Sequence, residues 1–106
     1  MSQAPAPLKW YSLAVKSVSN VTVTKLVTDA EWANLKDKGP CLMVLDSEGT
    51  VAIGGEDDAG TALTYARGIR LGAAEKITLE IAGGGNYRAI ATGGAVNVRV
   101  MIGCAG

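Results

Sequence analysis

The sequence predicts an all-β fold, either an antiparallel β-sandwich or a jelly-roll-like barrel, with an extended N-terminal arm and one short helical turn. Apolar and polar residues alternate along several short segments, which is typical of strands that bury one face. Glycine-containing turns separate these segments at intervals of about eight to twelve residues, which favours about seven short strands. Of the 106 residues, 48% are apolar and 19% are charged, a composition that allows one compact core.

Residues 1–18 are predicted to form an extended arm, and residues 19–106 a single sandwich domain. Pro5 and Pro7 favour extended backbone at the start of the chain. The segment LKWYSLAV then brings aromatic and leucine side chains together ahead of the first regular strand. Such side chains need cover, either from the sandwich itself or from a neighbouring subunit. The candidate contact residues of the arm are Leu8, Trp10, Tyr11 and Leu13.

The first predicted strand is NVTVTKLV, residues 20–27, in which valines alternate with threonines. A short helical turn should follow it. Thr28 and Glu31 have the spacing of a capping box, and Trp32 and Leu35 would then face inward. The Gly-Pro pair that comes next is expected to end this turn.

Residues 41–46, CLMVLD, form a continuous apolar run of strand length, which predicts a strand covered on both faces. The triplet SEG predicts a tight turn into a second strand at residues 50–55, so that the two strands form a hairpin. The acidic, glycine-punctuated segment that follows shows no regular period, and no conformation is predicted for it.

Three further strands, at residues 76–82, 86–92 and 95–102, are predicted to form a meander. The last has the clearest alternation, and burying its apolar face contributes about 1.5–3 kcal/mol per side chain, which sets the register. Glycines 83–85 and 93–94 are assigned to turns that need positive φ. On the last strand Val96, Val98, Val100 and Ile102 fall on one face, and Asn97 and Arg99 on the other.

The charge balance and the apolar runs exclude two classes of partner. Equal numbers of basic and acidic residues, 10 of each, leave no net charge, so the basic stripe expected of a nucleic-acid binder is missing. No apolar run approaches the roughly 18 residues of a membrane span, and the N-terminus lacks a basic segment leading into an apolar one. We therefore expect no nucleic-acid or membrane partner, and a chain that is made and folds in a cytoplasm.

The two cysteines, Cys41 and Cys104, lie in apolar segments that are far apart along the chain. Buried, reduced thiols are favoured over a disulfide, because free cysteine behaves as a small apolar residue. A structural zinc site is excluded, since two thiolates in a chain without histidine cannot supply four ligands.

The sequence offers little to catalysis. Histidine, the commonest general base, is absent. The acidic segment GEDD at residues 55–58 lacks the spacing of an EF-hand loop, so a solvated loop is favoured over a calcium site. The segment AGGGN lacks the lysine and hydroxyl of a phosphate-binding loop and precedes a strand. We predict no catalytic, cofactor-binding or metal-binding residue, and no enzyme activity.

Two arginines of the predicted meander are further candidate interface residues. Arg88 and Arg99 lie on consecutive predicted strands and are expected to share a face, opposite Glu80. A cross-strand charge pair, worth about 0.2–1 kcal/mol, is favoured there over a partner-binding patch, although arginine is also enriched in interfaces.

Residues 53–102 contain the segments IGG, GTAL, GIRLGAAEKITLEI and NYRAIATGGAVNVRVM in order. This arrangement resembles a group of small virion proteins of tailed bacteriophages, the capsid decoration (cement) and head-fibre proteins. The resemblance implies a β-sandwich that forms a homo-oligomer, often a homotrimer, and binds the major capsid protein or another virion protein. It also implies a location on the capsid surface of the virion.

The sequence is therefore predicted to encode a capsid decoration protein that stabilises the major capsid protein lattice. A phage tail or head-fibre component is the alternative within the same class. An alternative from another class is a small carbohydrate-binding β-sandwich, which would use Trp10, Trp32 and Tyr87 as stacking platforms.

Overall fold

The structure, a computed structural model, describes residues 8–56, 59–81 and 87–105. Two antiparallel sheets pack against each other with one short helix beside them, which confirms the predicted all-β sandwich. The elements are β1 Lys9–Ser12, β2 Lys16–Val18, β3 Thr24–Lys25, α1 Asp29–Leu35, β4 Cys41–Ser47, β5 Val51–Gly54, β6 Ile69–Leu71, β7 Lys76–Ile81, β8 Arg88–Ala91 and β9 Val96–Cys104.

Strands β9 and β4 form the centre of a five-stranded sheet with the order β1-β9-β4-β7, in which β2 also pairs with β9. The second sheet has four strands in the order β3-β8-β5-β6. Strand β4 pairs antiparallel with β9 over its whole length, with Cys41 opposite Cys104 and Ser47 opposite Val98. This pair is the framework on which the other strands of the larger sheet are placed.

The core lies between the two sheets. The predicted alternation of β9 is confirmed, because its apolar face is turned into the core while Asn97 and Arg99 are exposed. Strand β7 also alternates as predicted, with its apolar side chains turned inward. The largest fully buried side chains include Leu26, Met43, Leu45, Ile102, Val18, Val51 and Val98.

The segment predicted as an arm belongs to the larger sheet from residue 9 onward. Strand β1 pairs with the C-terminal half of β9, with Lys9 opposite Cys104, and β2 pairs with its N-terminal half. Val18 is fully buried in the core. The prolines that suggested an arm lie in residues 1–7, outside the described residues.

The first predicted strand is much shorter than expected. Only Thr24–Lys25 form β3, and Val21 is 81% exposed. The Ser19 hydroxyl accepts hydrogen bonds from the backbone N–H groups of Val21 and Thr22, at 2.9 and 3.2 Å. Such local bonds satisfy backbone donors in a bend and compete with strand pairing.

The helical turn and its capping box are confirmed. The Thr28 hydroxyl accepts from the backbone N–H of Glu31 at 3.2 Å, and the Glu31 carboxylate accepts from the backbone N–H of Thr28 at 2.9 Å. Leu35 is buried and Trp32 is half-buried against the core. The helix ends at Leu35 with Lys36 as its C-cap, and Gly39, in the turn that follows, has a φ of 81°.

The predicted hairpin and the predicted meander are both wrong. Strands β4 and β5 lie in different sheets, so the short turn between them is a corner from one sheet to the other. Strands β7, β8 and β9 likewise alternate between the sheets. The apolar faces of consecutive strands therefore meet across the core, which local alternation alone does not specify.

The prediction that the two cysteines are reduced thiols is also wrong. Cys41 and Cys104 form a disulfide between neighbouring positions of β4 and β9, with Cα atoms 4.3 Å apart. Both residues are buried. Although 63 positions separate the two cysteines along the chain, the pairing of β4 with β9 places them opposite each other.

The glycine predictions have mixed outcomes. Gly94 has a φ of 112°, as expected for a turn that favours glycine. Gly93 is not among the described residues with positive φ, and glycines 83–85 lie outside the described residues. No helix in the described part of the chain is long and apolar enough to cross a membrane.

Candidate functional site

The outer face of the five-stranded sheet carries an apolar surface that the four-stranded sheet does not cover. Because side chains alternate along a strand, the even-numbered residues of β1 and β4 share this face with the odd-numbered residues of β9. Three of its side chains are exposed to solvent: Trp10 by 46%, Val15 by 54% and Met101 by 41%. We call Trp10, Val15, Leu42, Val44 and Met101 the outer strip.

Strand β4 explains why this face is apolar. Its inner residues, including Met43 and Leu45, are fully buried between the sheets. Leu42 and Val44, on the outer face, are only half-buried. The continuous apolar run predicted a strand covered on both faces, yet within the described residues only one face is covered. The second apolar face of β4 is thus available for a contact with another molecule.

Pairing across the strands makes the outer strip continuous. Met101 lies opposite Val44, and Gly103 lies between Trp10 on one side and Leu42 on the other. A Cβ atom added to Gly103 would lie 2.8 Å from three carbons of the Trp10 ring. The indole therefore packs on the backbone of Gly103 and fills the space that a side chain at position 103 would occupy.

A groove of about 380 Å³ lies beside the strip. Its walls include Leu13, Val15, Val44, Arg99 and Met101, so most of its lining is apolar. The groove follows the junction between β1 and β2, where the chain leaves β9 and returns to it. Its shape and lining suit an apolar side chain of a partner.

Charged side chains border the strip at one end. The Arg99 guanidinium donates to the carboxylates of Asp46 and Glu48, both at 3.1 Å. Lys76 lies opposite Asp46 on β7. An apolar centre with a charged border is the usual arrangement of a protein-binding surface.

The structure separates the six predicted interface residues. Trp10 belongs to the outer strip, and Leu13 and Arg99 line the groove beside it. Tyr11 instead packs against the core, with the Lys9 and Lys38 ammonium groups 5.6 and 5.5 Å from its ring centre. Leu8 is half-buried and lines a second depression beside α1.

The prediction that Arg88 and Arg99 share a face is wrong. Arg88 lies in the four-stranded sheet, with its guanidinium 3.9 Å from Glu56, whereas Arg99 and Glu80 lie in the five-stranded sheet. Arg99 is paired across the strands with Asp46, whereas Glu80, the predicted partner, lies opposite Leu42.

The three aromatic residues considered for sugar binding do not form one platform. Trp10 is on the outer face, whereas Trp32 and Tyr87 pack against the core between the sheets. Only one of the three rings is therefore placed for stacking on a sugar at the outer strip.

The described residues contain few groups for catalysis or metal binding. Both cysteines are in the disulfide, so neither supplies a thiolate. Among residues 8–56, 59–81 and 87–105, no three carboxylate or thiol side chains converge on one point. Half of the acidic segment GEDD, residues 57 and 58, lies outside this described part.

Comparisons with known proteins add no relative. No family model matches the chain, and neither a curated protein nor a solved structure is detectably similar to it. The geometry of the outer strip and the sequence pattern are therefore the features that bear on function.

Sequence reasoning missed four of the five residues of the strip. Two signals were present in the sequence. The apolar run of β4 has side chains for two faces, and Met101 interrupts the polar face of β9 that Asn97 and Arg99 begin. Neither signal shows which strands stand beside each other, so the strip could not be assembled before the sheet order was known.

Proposed function

We propose that this protein is a structural protein that binds another protein through the outer strip, and that it acts as a bacteriophage capsid decoration protein. In that role a homo-oligomer of the chain would bind and stabilise the lattice of the major capsid protein. The observation that carries the proposal is the second apolar face of β4, where Leu42 and Val44 are half-buried beside the exposed Met101 and Trp10. Exposed apolar surface of this kind marks contacts between proteins.

Two further observations support the assignment to a virion. The segments of residues 53–102 resemble small phage accessory proteins. The disulfide between Cys41 and Cys104 is of a kind that persists outside a reducing cytoplasm, and the surfaces of virus particles are among such places.

Binding to capsids tests the proposal. Purified protein should bind expanded phage heads that lack it and should raise the temperature at which those heads release their DNA. Met101→Lys and Val15→Lys place a charge in the strip and should each weaken head binding by at least about tenfold, because a buried, unpaired charge is costly in an interface. Both side chains are substantially exposed, so folding should be unaffected.

Matched controls are available on other surfaces. Val21 and Ile69 are exposed apolar residues outside the strip, and Val21→Lys and Ile69→Lys should leave head binding unchanged. Equal loss of binding in all four variants, or no binding by the wild-type protein, would contradict the proposal. Binding to tails or fibres alone would favour the alternative location on the particle. Binding to a glycan that is lost in Trp10→Ala would favour the carbohydrate-binding alternative.

A further inference from the structure

Strand β7 forms one edge of the five-stranded sheet. It pairs with β4 on one side, and within residues 8–56, 59–81 and 87–105 no strand pairs with its other side. Its six residues, Lys76–Ile81, leave a row of backbone donors and acceptors available for another strand. Ile77 and Leu79, on the inner face of the same edge, are only partly buried against the core.

We infer that β7 pairs antiparallel with β7 of a second copy of this chain, about a twofold axis through Thr78. In this register Lys76 of each copy lies opposite Glu80 of the other, and Ile77 lies opposite Leu79. The exposed face of the new strand pair then carries two pairs of opposite charges. Its inner face brings together the apolar side chains that are incompletely buried in one copy.

The charges of β7 favour this register over others. A parallel pairing in register would place Lys76 beside Lys76 and Glu80 beside Glu80, and like charges directly opposite each other are destabilising. Charged residues on an edge strand thus prevent indiscriminate pairing while permitting the one arrangement that neutralises them.

The other sheet edges fit a second copy less well. Strand β6 has three residues, and a twofold axis at its centre would place Arg70 opposite Arg70. Strand β3 has only two residues. The edge formed by β1 and β2 is interrupted between Ser12 and Lys16. Strand β7 is the longest uninterrupted edge in the described part of the chain, and its charges are self-complementary.

Pairing through β7 would join two five-stranded sheets into one continuous sheet with both outer strips on the same side. The self-association does not depend on what the strip binds. If the proposed function holds, two strips on one side of a dimer would bind a repeating lattice with higher avidity than one. A twofold contact gives a dimer, in contrast to the trimer that the family resemblance implies.

Charge reversal tests the pairing. The mass of the wild-type protein in sedimentation equilibrium should be that of a dimer. Lys76→Glu and Glu80→Lys should each weaken dimerisation on the order of tenfold, because each creates two like-charge pairs in the dimer. The double variant K76E/E80K should restore the wild-type dissociation constant. Arg70→Glu, an exposed charge reversal on β6 of the four-stranded sheet, is the matched control and should have no effect.

Cross-linking tests the register itself. Thr78→Cys should form an intermolecular disulfide on mild oxidation, because residues opposite each other in antiparallel strands have Cα atoms about 4.5–5.5 Å apart. Lys76→Cys alone should not, because its two copies would be about 13 Å apart. A mixture of Lys76→Cys and Glu80→Cys should give the mixed dimer.

A monomeric or trimeric wild-type protein, or a dimer that is equally stable in all the charge variants, would overturn the pairing. Binding of a monomer to phage heads would overturn the pairing and the homo-oligomer, but would leave the capsid-decoration role standing. A β7 dimer that does not bind heads would support the pairing and contradict the proposed function.

Discussion

The indole of Trp10 lies directly on the backbone of Gly103, with three of its ring carbons 2.8 Å from the point where a Cβ atom of residue 103 would stand. The two residues are register partners on β1 and β9. An aromatic ring that covers a strand glycine compensates for the side chain that the glycine lacks. This contact holds the largest side chain of the outer strip flat on the sheet.

Gly103→Ala should therefore lower the free energy of unfolding by about 1–2 kcal/mol, because the indole must swing away from the added methyl group. Thermal or urea unfolding would measure the change. The same substitution in a Trp10→Ala background should cost much less, since the group that it displaces is gone. Gly93→Ala is the control, because a Cβ atom there meets nothing within 4 Å. Equal losses at the two glycines would contradict the contact.

The disulfide between Cys41 and Cys104 should stabilise the sandwich strongly, because it closes a loop across 63 positions of the chain. We expect replacement of both cysteines by alanine to lower the free energy of unfolding by roughly 2–4 kcal/mol. A reducing agent should destabilise the wild-type protein by a similar amount and leave the double variant unchanged. Two titratable thiols in the purified, unfolded wild-type protein would show that the bond had not formed.

Glu31 should make the free energy of unfolding depend on pH in the acidic range. Partial burial raises the pKa of its carboxyl, but the hydrogen bonds from the Thr28 backbone N–H and from Lys16 outweigh burial and hold the pKa below its usual 4.5. Because the folded-state pKa is the lower one, this stabilisation is present above about pH 4.5 and is lost as the pH falls through the folded-state value.

Glu31→Gln should accordingly reduce stability at pH 7 and flatten its decline below pH 4.5, as measured by urea unfolding at a series of pH values. The control is Asp29→Asn in the same helical turn. The hydrogen bond from Lys25 lowers the pKa of Asp29 as well, but this carboxylate is exposed and its ion pair should add little. An acid profile that is identical in wild type and Glu31→Gln would contradict this account.

Ala74 adopts a φ of 62°, a conformation that favours glycine, in the turn between β6 and β7. Ala74→Gly should raise the free energy of unfolding by about 0.5 kcal/mol, since relief of the left-handed strain exceeds the entropy that glycine adds to the unfolded chain. Ala73→Gly, at the neighbouring position without positive φ, should lower it by about 0.5–1 kcal/mol. Calorimetric unfolding would compare the two, and effects of the same sign would contradict the assignment.

The capping box is a structural feature that the local sequence specifies. Thr28 and Glu31 specify a helix start through bonds that span three residues, and the structure contains both bonds. The alternation of β9 likewise separates its buried valines from Arg99, because the period of a strand is a property of the backbone. These features could be predicted because the residues that form them lie within a few positions of one another in the sequence.

Local sequence patterns were sufficient to specify the fold class, the helix start and the buried face of the last strands. Three features emerged only from the folded chain: the strand order of each sheet, the neighbouring positions of Cys41 and Cys104, and the single surface that Trp10, Val44 and Met101 share. An apolar face can be buried equally well by several strand orders. The choice among them depends on packing across the whole core, and residues distant in the chain come together only when that choice is made.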